Sequence, residues 1–202
     1  DMSYVFSGAV AFNGNLSGWD VSNVTNMSNM FSSTDVFNGD LSGWDVSNVT
    51  DMNNMFYGAT AFNGDLSGWN VSNVTDMTGM FGETIVFEGT VLSGWDVSNV
   101  TSLSGMFYQA AAFNADLGAW DISSVTNMSF MLDESGLSPN NYGATLQGWA
   151  THVQNNNGPS NITLGASRVF YCNTQLTQNA RNLLVNTFGW TITDAGGTNT
   201  CN

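Results

Sequence analysis

The sequence predicts an α/β solenoid, a stack of five to six strand–helix units with a parallel sheet, closed by a C-terminal α/β cap. Three observations lead there. Trp19, Trp44, Trp69, Trp95 and Trp120 recur at intervals of 25, 25, 26 and 25 residues. Around each runs one phrase, from NLSGWDVSNVTNM at the first to DLGAWDISSVTNM at the fifth. The pattern stops after Met131 and Leu132, which divides the 202 residues into a repeat region, 1–132, and a C-terminal segment, 133–202.

A fixed period of this length marks stacked repeats, each too small to bury its own apolar face. Each unit carries two periodicities. In LSGWDV, Trp19 and Val21 alternate with Gly18 and Asp20, which predicts a short strand with one buried side. In VTNMSNMF, Val24, Met27, Met30 and Phe31 fall at i, i+3, i+6 and i+7, which predicts a short helix with one apolar face. The intervening GAVAFNG reads as a turn. Stacking turns Phe6, Phe31, Phe56, Phe81 and Phe107 into one core column and Phe12, Phe37, Phe62, Phe87 and Phe113 into a second. The Met and Trp columns read as core in the same way, not as a cofactor box. One inserted residue, at about Thr90 or Val91, accounts for the 26-residue interval.

In the C-terminal segment, SPNNYGATLQGWATHV has Ser138 as a cap before Pro139 in a first helical turn. Tyr142, Leu146 and Trp149 then share one helix face. NITLGASRVFY reads as one or two strands, TQLTQNARNLLVNTFG as a second helix and WTITDAGG as a last strand, with a loop at 155–159. These two looser units are expected to close the end of the stack. Cys172 and Cys201 are an even pair in a polar, Lys-free chain, which predicts a disulfide and an oxidising compartment, with two buried free thiols as the alternative.

Only 9% of residues are charged, and two Arg against sixteen acids give a net charge of −14. Nucleic-acid affinity comes largely from Lys and Arg displacing counterions, so nucleic acid is excluded as a partner. Anionic membrane surfaces are disfavoured for the same reason. No apolar run approaches the roughly 18 residues that span a bilayer, so no membrane insertion is predicted for this segment. Calcium, neutral sugars and basic protein patches remain.

Catalytic chemistry finds no foothold in the sequence. His152 is the lone histidine, and there is no GxSxG elbow, HExxH pair, Walker loop or strand-following GxGxxG. Asp133 and Glu134 are adjacent acids, which read as solvated charges and not as a glycosidase pair. No enzyme activity is predicted.

The candidate ligand-binding residues are the ladder Asp20, Asp45, Asn70, Asp96 and Asp121, each following its tryptophan and expected on the open sheet face. Carboxylates on neighbouring strands, about 4.8 Å apart, repel unless their oxygens are engaged. The favoured reading is that each accepts backbone N–H groups two or three residues on, at Ser22 and Asn23 in the first unit. The alternative is calcium held at Asp20, Asp45, Asp96 and Asp121, joined by Asp40, Asp65 and Asp116. No other cofactor is expected. Asn13, Asn38, Asn63 and Asn114 form a second register, read as a turn-forming or inward column. The sequons at Asn23, Asn48, Asn73 and Asn99 fall in every one of the first four units, so structural demand explains them better than glycosylation.

The phrase MFxGAxAFNGDLSGWDVSNVTDM, repeated five times to about residue 132, resembles a bacterial surface-protein repeat of about 26 residues, related to the BspA-like leucine-rich repeats. That resemblance implies a leucine-rich-repeat-like solenoid and a place in adhesins and lipoproteins. YGATLQGWA, VFYCN and FGWTITDAGGTNTC resemble the tail that follows such repeats in Bacteroidetes surface proteins, which implies export to the cell surface. The function this implies is a non-catalytic extracellular adhesion or recognition module of a larger protein, contacting a host or neighbouring-cell surface protein or glycan. A structural spacer or filament subunit without its own ligand site is the first alternative. The second is a carbohydrate-binding module using Tyr57 and Tyr108, which stand at variable positions after Phe56 and Phe107. The apolar Met2, Val5 and Phe6 in the first unit lead to the expectation of further repeats before it.

Overall fold

The computed structural model describes residues 1–156 and 158–201. Of the loop expected at 155–159, Asn157 lies outside the described residues, while Asn155 and Asn156 end a helix. Regular structure among the described residues comprises two α-helices and four short strands in two two-stranded sheets, all between Pro139 and Thr198. Within 1–132 there is no α-helix and no strand; a three-residue 3-10 turn, Leu92–Gly94, follows the inserted residue. The expected leucine-rich-repeat-like solenoid of strand–helix units with a parallel sheet is therefore not the fold of this chain.

The backbone bonding explains why. Met27, Asn29, Phe31 and Ser33 donate their N–H groups to the carbonyls of Asp51, Asn53, Met55 and Tyr57 in the next copy, at 2.9, 2.8, 2.9 and 2.7 Å. The residues between them turn back on their own copy: Met30 donates to Met27, Ser32 to Asn29 and Thr34 to Phe31. A helix would need unbroken i to i−4 bonding, and a strand an unbroken run of cross-chain bonds. Alternation between the two satisfies neither. Only single parallel bridges mark the contact, along Asn26, Asp51, Asp76, Ser102 and Asn127.

Left-handed residues impose this alternation. Asn29, Asn54, Gly79, Gly105 and Phe130 have φ of 57°, 52°, 63°, 61° and 59°. Four residues further on, Ser33, Gly58, Glu83, Gln109 and Glu134 repeat the geometry with φ between 54° and 67°. A left-handed residue cannot continue a right-handed helix. The apolar spacing still does its packing work, since Met27, Met30 and Phe31 are fully buried, as are their counterparts in later copies. Three-residue turns return side chains to the inside at nearly the helical interval, so burial period and secondary structure part company.

The core is aromatic. Rings of the first Phe column stack 5.5 to 5.9 Å apart from copy to copy, and each lies 3.7 to 4.2 Å from its partner in the second column. From Phe31 and Phe37 onward these rings are fully buried, and each contributes on the order of 2–3 kcal/mol of transfer free energy. Buried indoles need acceptors, and the preceding copy supplies them. Trp44, Trp69, Trp95 and Trp120 donate to the carbonyls of Leu16, Leu41, Leu66 and Leu92 at 3.1, 3.0, 3.3 and 2.8 Å.

Helix α1, Pro139–Asn156, continues the chain with Tyr142, Leu146 and Trp149 buried. Ser138 precedes it, accepting the Tyr142 N–H at its carbonyl and the Asn141 N–H at its hydroxyl. The fifth copy is adapted to receive this helix. Gly118 stands where the other four copies have Ser, and a Cβ there would lie 2.9 Å from the Ala144 carbonyl oxygen. From the helix side, a Cβ on Gly148 would lie 2.2 Å from the Gly118 carbonyl oxygen. Two glycines back to back permit the contact.

Strand β1, Thr163–Ala166, then meets the repeat region through a parallel bridge between Met128 and Leu164. β2, Tyr171–Cys172, leads into α2, Gln175–Asn186, whose first turn is capped by the Thr174 hydroxyl accepting the Thr177 N–H at 3.2 Å. β3, Thr191–Asp194, pairs parallel with β1, and β4, Gly197–Thr198, pairs parallel with β2. Cys172 and Cys201 form a disulfide that ties β2 to the last turn of the chain. Arg181 of α2 holds the buried Asp194 with two hydrogen bonds, at 2.8 and 3.1 Å, and the Tyr142 hydroxyl donates to the same carboxylate at 3.2 Å.

Candidate functional site

The acidic ladder lies in turns, not on a sheet face, because the repeats hold no sheet. Asp20, Asp45, Asn70, Asp96 and Asp121 each accept the backbone N–H two residues on, from Ser22, Ser47, Ser72, Ser98 and Ser123, at 2.9 to 3.2 Å. Asp40, Asp65 and Asp116 make the same bond to Ser42, Ser67 and Gly118. The Ser22 and Ser47 hydroxyls and N–H groups hold the Asp20 and Asp45 carboxyls below the ordinary carboxylate range. Asp20 pushes Asp45 slightly back up, which is the like-charge repulsion within the ladder. Among the described residues, no three His, Cys, Asp or Glu side chains converge where a metal ion would sit.

The asparagine registers tie copy to copy. Asn13 and Asn38 accept the N–H groups of Asn38 and Asn63, and Asn114 accepts that of Ser138. The sequon residues Asn48, Asn73 and Asn99 donate their side-chain amides to the carbonyls of Ser22, Ser47 and Ser72 at 2.7, 2.7 and 2.8 Å. A nitrogen committed to that bond serves the turn.

His152, solitary in the sequence, comes to lie 2.9 Å from Asp121 and 3.0 Å from the Ser123 hydroxyl. The three residue types are those of a hydrolytic triad, but the geometry is different. Both oxygens meet the same nitrogen, Nε2, and Nδ1 faces the Asn156 amide at 3.0 Å. An imidazole that relays a proton needs the hydroxyl on one nitrogen and the carboxylate on the other. The trio anchors α1 to the fifth copy instead. Burial pushes the Asp121 carboxyl up, but the Ser123 bonds and the imidazole outweigh it and hold the carboxyl low.

An open concavity lies elsewhere, on the edge where the two left-handed registers run. One wall is formed by Tyr57 and Tyr108, which follow the first phenylalanine in the third and fifth copies, where the fourth copy has Gly82. The other is the left-handed register Asn54, Gly79, Gly105 and Phe130. Between them is an open cavity of about 380 Å³, lined also by Thr78 and Ser104. Glycines make the room. Tyr57 leans over the fourth copy, so that a Cβ on Gly82 would stand 2.8 Å from its ring. Gly79 lies beneath Asn54 and Tyr57 in the same way.

Each tyrosine hydroxyl is fixed by a polar neighbour. Tyr57 donates to Glu83, and burial together with that carboxylate pushes its pKa up to about 12, so the phenol stays protonated. Gln109 donates to the Tyr108 hydroxyl at 3.1 Å and to Glu134 at 3.3 Å, and Glu134 faces Arg168 at 3.6 Å. Phe130 is 61% exposed, and its left-handed backbone is a conformation that bulky side chains rarely adopt. Tyr57 and Tyr108 were singled out in the sequence. Phe130, the glycines and the flanking acids were not, although the Asn, Asn, Gly and Gly at positions 29, 54, 79 and 105 carry a left-handed signal.

Comparison with protein families gives a match to "Mycoplasma protein of unknown function, DUF285", over residues 1–91 and again over 64–158. There is no match to a BspA or leucine-rich-repeat family, so the kinship inferred from the repeat phrase, and the Bacteroidetes origin inferred from the tail, are corrected. No curated protein and no solved structure matches the chain. The two matched stretches together cover most of its length, and the chain belongs to the DUF285 family.

Proposed function

We propose that the protein is a non-catalytic recognition module, acting extracellularly as part of a surface adhesion system, with the groove between Tyr57, Tyr108 and Phe130 as its binding face. The groove carries this reading. In a repeat whose core positions barely vary, aromatic rings stand outside the core at three positions that bound one cavity. Core packing does not account for an aromatic ring that is mostly exposed on a strained backbone, and such strain gathers where function sets the conformation. The disulfide suits an oxidising, extracellular setting. The −14 charge directs the module away from phosphate-rich partners.

The test is a combined glycan and protein array probed with the 202-residue chain and with its Tyr57→Ala, Tyr108→Ala double variant. Binding to one ligand class that the double variant loses supports recognition through the groove. Binding to nothing, or binding that the variant retains in full, overturns it, and a spacer without its own ligand site becomes the better account.

A further inference from the structure

We infer that the groove binds an extended chain of uncharged hexose units, an inference that rests on the recognition role proposed above. Four observations bear on the ligand class. Tyr57 and Tyr108 are two copies apart, with Gly82 between them, and one copy step is 5.6 to 5.9 Å in the neighbouring Phe column. The Tyr57 ring reaches over Gly82 of the fourth copy, so the two rings stand within two such steps of each other. That span matches about one to two pyranose units of an extended chain, so the two rings can serve neighbouring sugars. Aromatic side chains offer flat apolar faces suited to the C–H face of a pyranose, and their entropy loss on binding is small.

The polar groups are those that sugar hydroxyls need. Beside the groove Glu83 and Glu134 offer acceptors and Gln109 its side-chain carbonyl, the Gln109 amide being spent on Tyr108 and Glu134, and Ser104 offers a hydroxyl in the groove lining. Charge then chooses among sugars. The carboxylates of Glu83 and Glu134 border the groove on a chain of net −14, and Arg168 is the one cation close by, already facing Glu134. Uronic acids and sulfated or sialylated sugars are repelled. A peptide strand has no matching feature here, because the backbone N–H groups beside the groove are spent between copies: Asn54 donates to Thr78, Gly79 to Ser104 and Gly105 to Ser129.

Isothermal titration of the full chain against mannohexaose, cellohexaose and hexamannuronate tests this. Mannohexaose and hexamannuronate share a linkage and differ in the carboxylates. At least one neutral hexaose is expected to bind about tenfold or more tighter than hexamannuronate. Tyr108→Ala should weaken that binding about tenfold, and Phe130→Asn, an exposed change that leaves the core intact, several-fold. Tyr57→Phe keeps the ring and should keep the affinity within about threefold. Equal or tighter binding of hexamannuronate overturns the inference, as does binding of neither neutral hexaose. If neutral hexaoses fail while the arrays show a protein ligand lost in the double tyrosine variant, the sugar assignment falls and the recognition role stands. If every probe fails in both experiments, both fall.

Discussion

Trp149 donates its indole N–H to the carbonyl of Leu117 at 3.0 Å, the same bond that Trp120 makes to Leu92 one copy earlier. The donor sits on helix α1, so a helix occupies the place of a sixth repeat and satisfies the acceptor that the fifth copy presents. The C-terminal segment is thus fitted to the repeats atom by atom at its first contact.

That fit predicts a substitution that looks harmless in an alignment of the five copies. Gly118→Ser would make the fifth copy match the other four, yet it puts a Cβ 2.9 Å from the Ala144 carbonyl. Gly148→Ala puts one 2.2 Å from the Gly118 carbonyl. Both clashes are with backbone, so neither can relax by a rotamer change. Urea unfolding should show losses of about 1–2 kcal/mol for Gly118→Ser and about 3 kcal/mol for Gly148→Ala. Wild-type stability in both would mean that α1 does not dock here.

In the repeats, burial was legible in the sequence and secondary structure was not. The spacing of Val24, Met27, Met30 and Phe31 correctly identifies inward residues, but a succession of turns and a helix place inward residues at similar intervals. The discriminating signal was Asn29, Asn54, Gly79 and Gly105, residue types that tolerate positive φ, at one repeat position. In the C-terminal segment, where no such register exists, the expected helices and strands coincide with α1, α2 and β1 to β3. At the site, Tyr57 and Tyr108 were visible because they interrupt a repeat. Their grouping with Phe130 depends on the register between copies, which no single copy encodes.

The capping carboxylates predict how stability varies with pH. Asp20, Asp40, Asp45 and Asp65 all have folded pKa values below the ordinary 3.8, through hydrogen bonds from the serine two residues on. A depressed folded pKa means that the unfolded chain takes up protons first. The stabilisation is therefore complete above about pH 4 and is lost as the pH falls through the folded values. Thermal melts from pH 6 to pH 2, in about 0.5 M salt to screen the net charge, should show the melting temperature falling below about pH 4. An Asp20→Asn, Asp45→Asn variant, which keeps the acceptor as Asn70 does, should fall less steeply. Parallel curves would show that these turns do not depend on the charged carboxylate.

Calcium provides a second test of the ladder. With one oxygen of each Asp engaged by a backbone N–H of its own copy, and no cluster of carboxylates converging on one point among the described residues, added calcium should raise the melting temperature only slightly, and magnesium should do the same. A chelating ladder would behave otherwise. Linkage gives about 2.7 kcal/mol at a hundred times the dissociation constant, and magnesium, which demands tighter octahedral geometry, would be a poor substitute. A calcium-selective rise that disappears in Asp45→Asn, Asp96→Asn would show that the ladder holds metal.

Phe130 ties the groove to the energetics of the fold. Its φ of 59° is the conformation that Asn29 and Asn54 adopt in earlier copies and that Gly79 and Gly105 adopt without a side chain. For a phenylalanine the left-handed backbone costs roughly 1–2 kcal/mol, whereas asparagine visits it readily. Truncating a core phenylalanine destabilises by about 3–5 kcal/mol, but this ring is 61% exposed and has little burial to lose. Phe130→Asn is therefore expected to leave stability unchanged or to raise it by up to about 1 kcal/mol, while weakening binding at the groove. Urea unfolding of the wild type and the variant measures the first quantity and hexaose titration the second. Stability gained as affinity is lost would mean that the ring is kept at the expense of the fold, for the sake of what it touches. A loss of more than about 1 kcal/mol would instead assign Phe130 to packing against β1, whose Gly165 lies against its backbone, and would leave the groove with its two tyrosines alone.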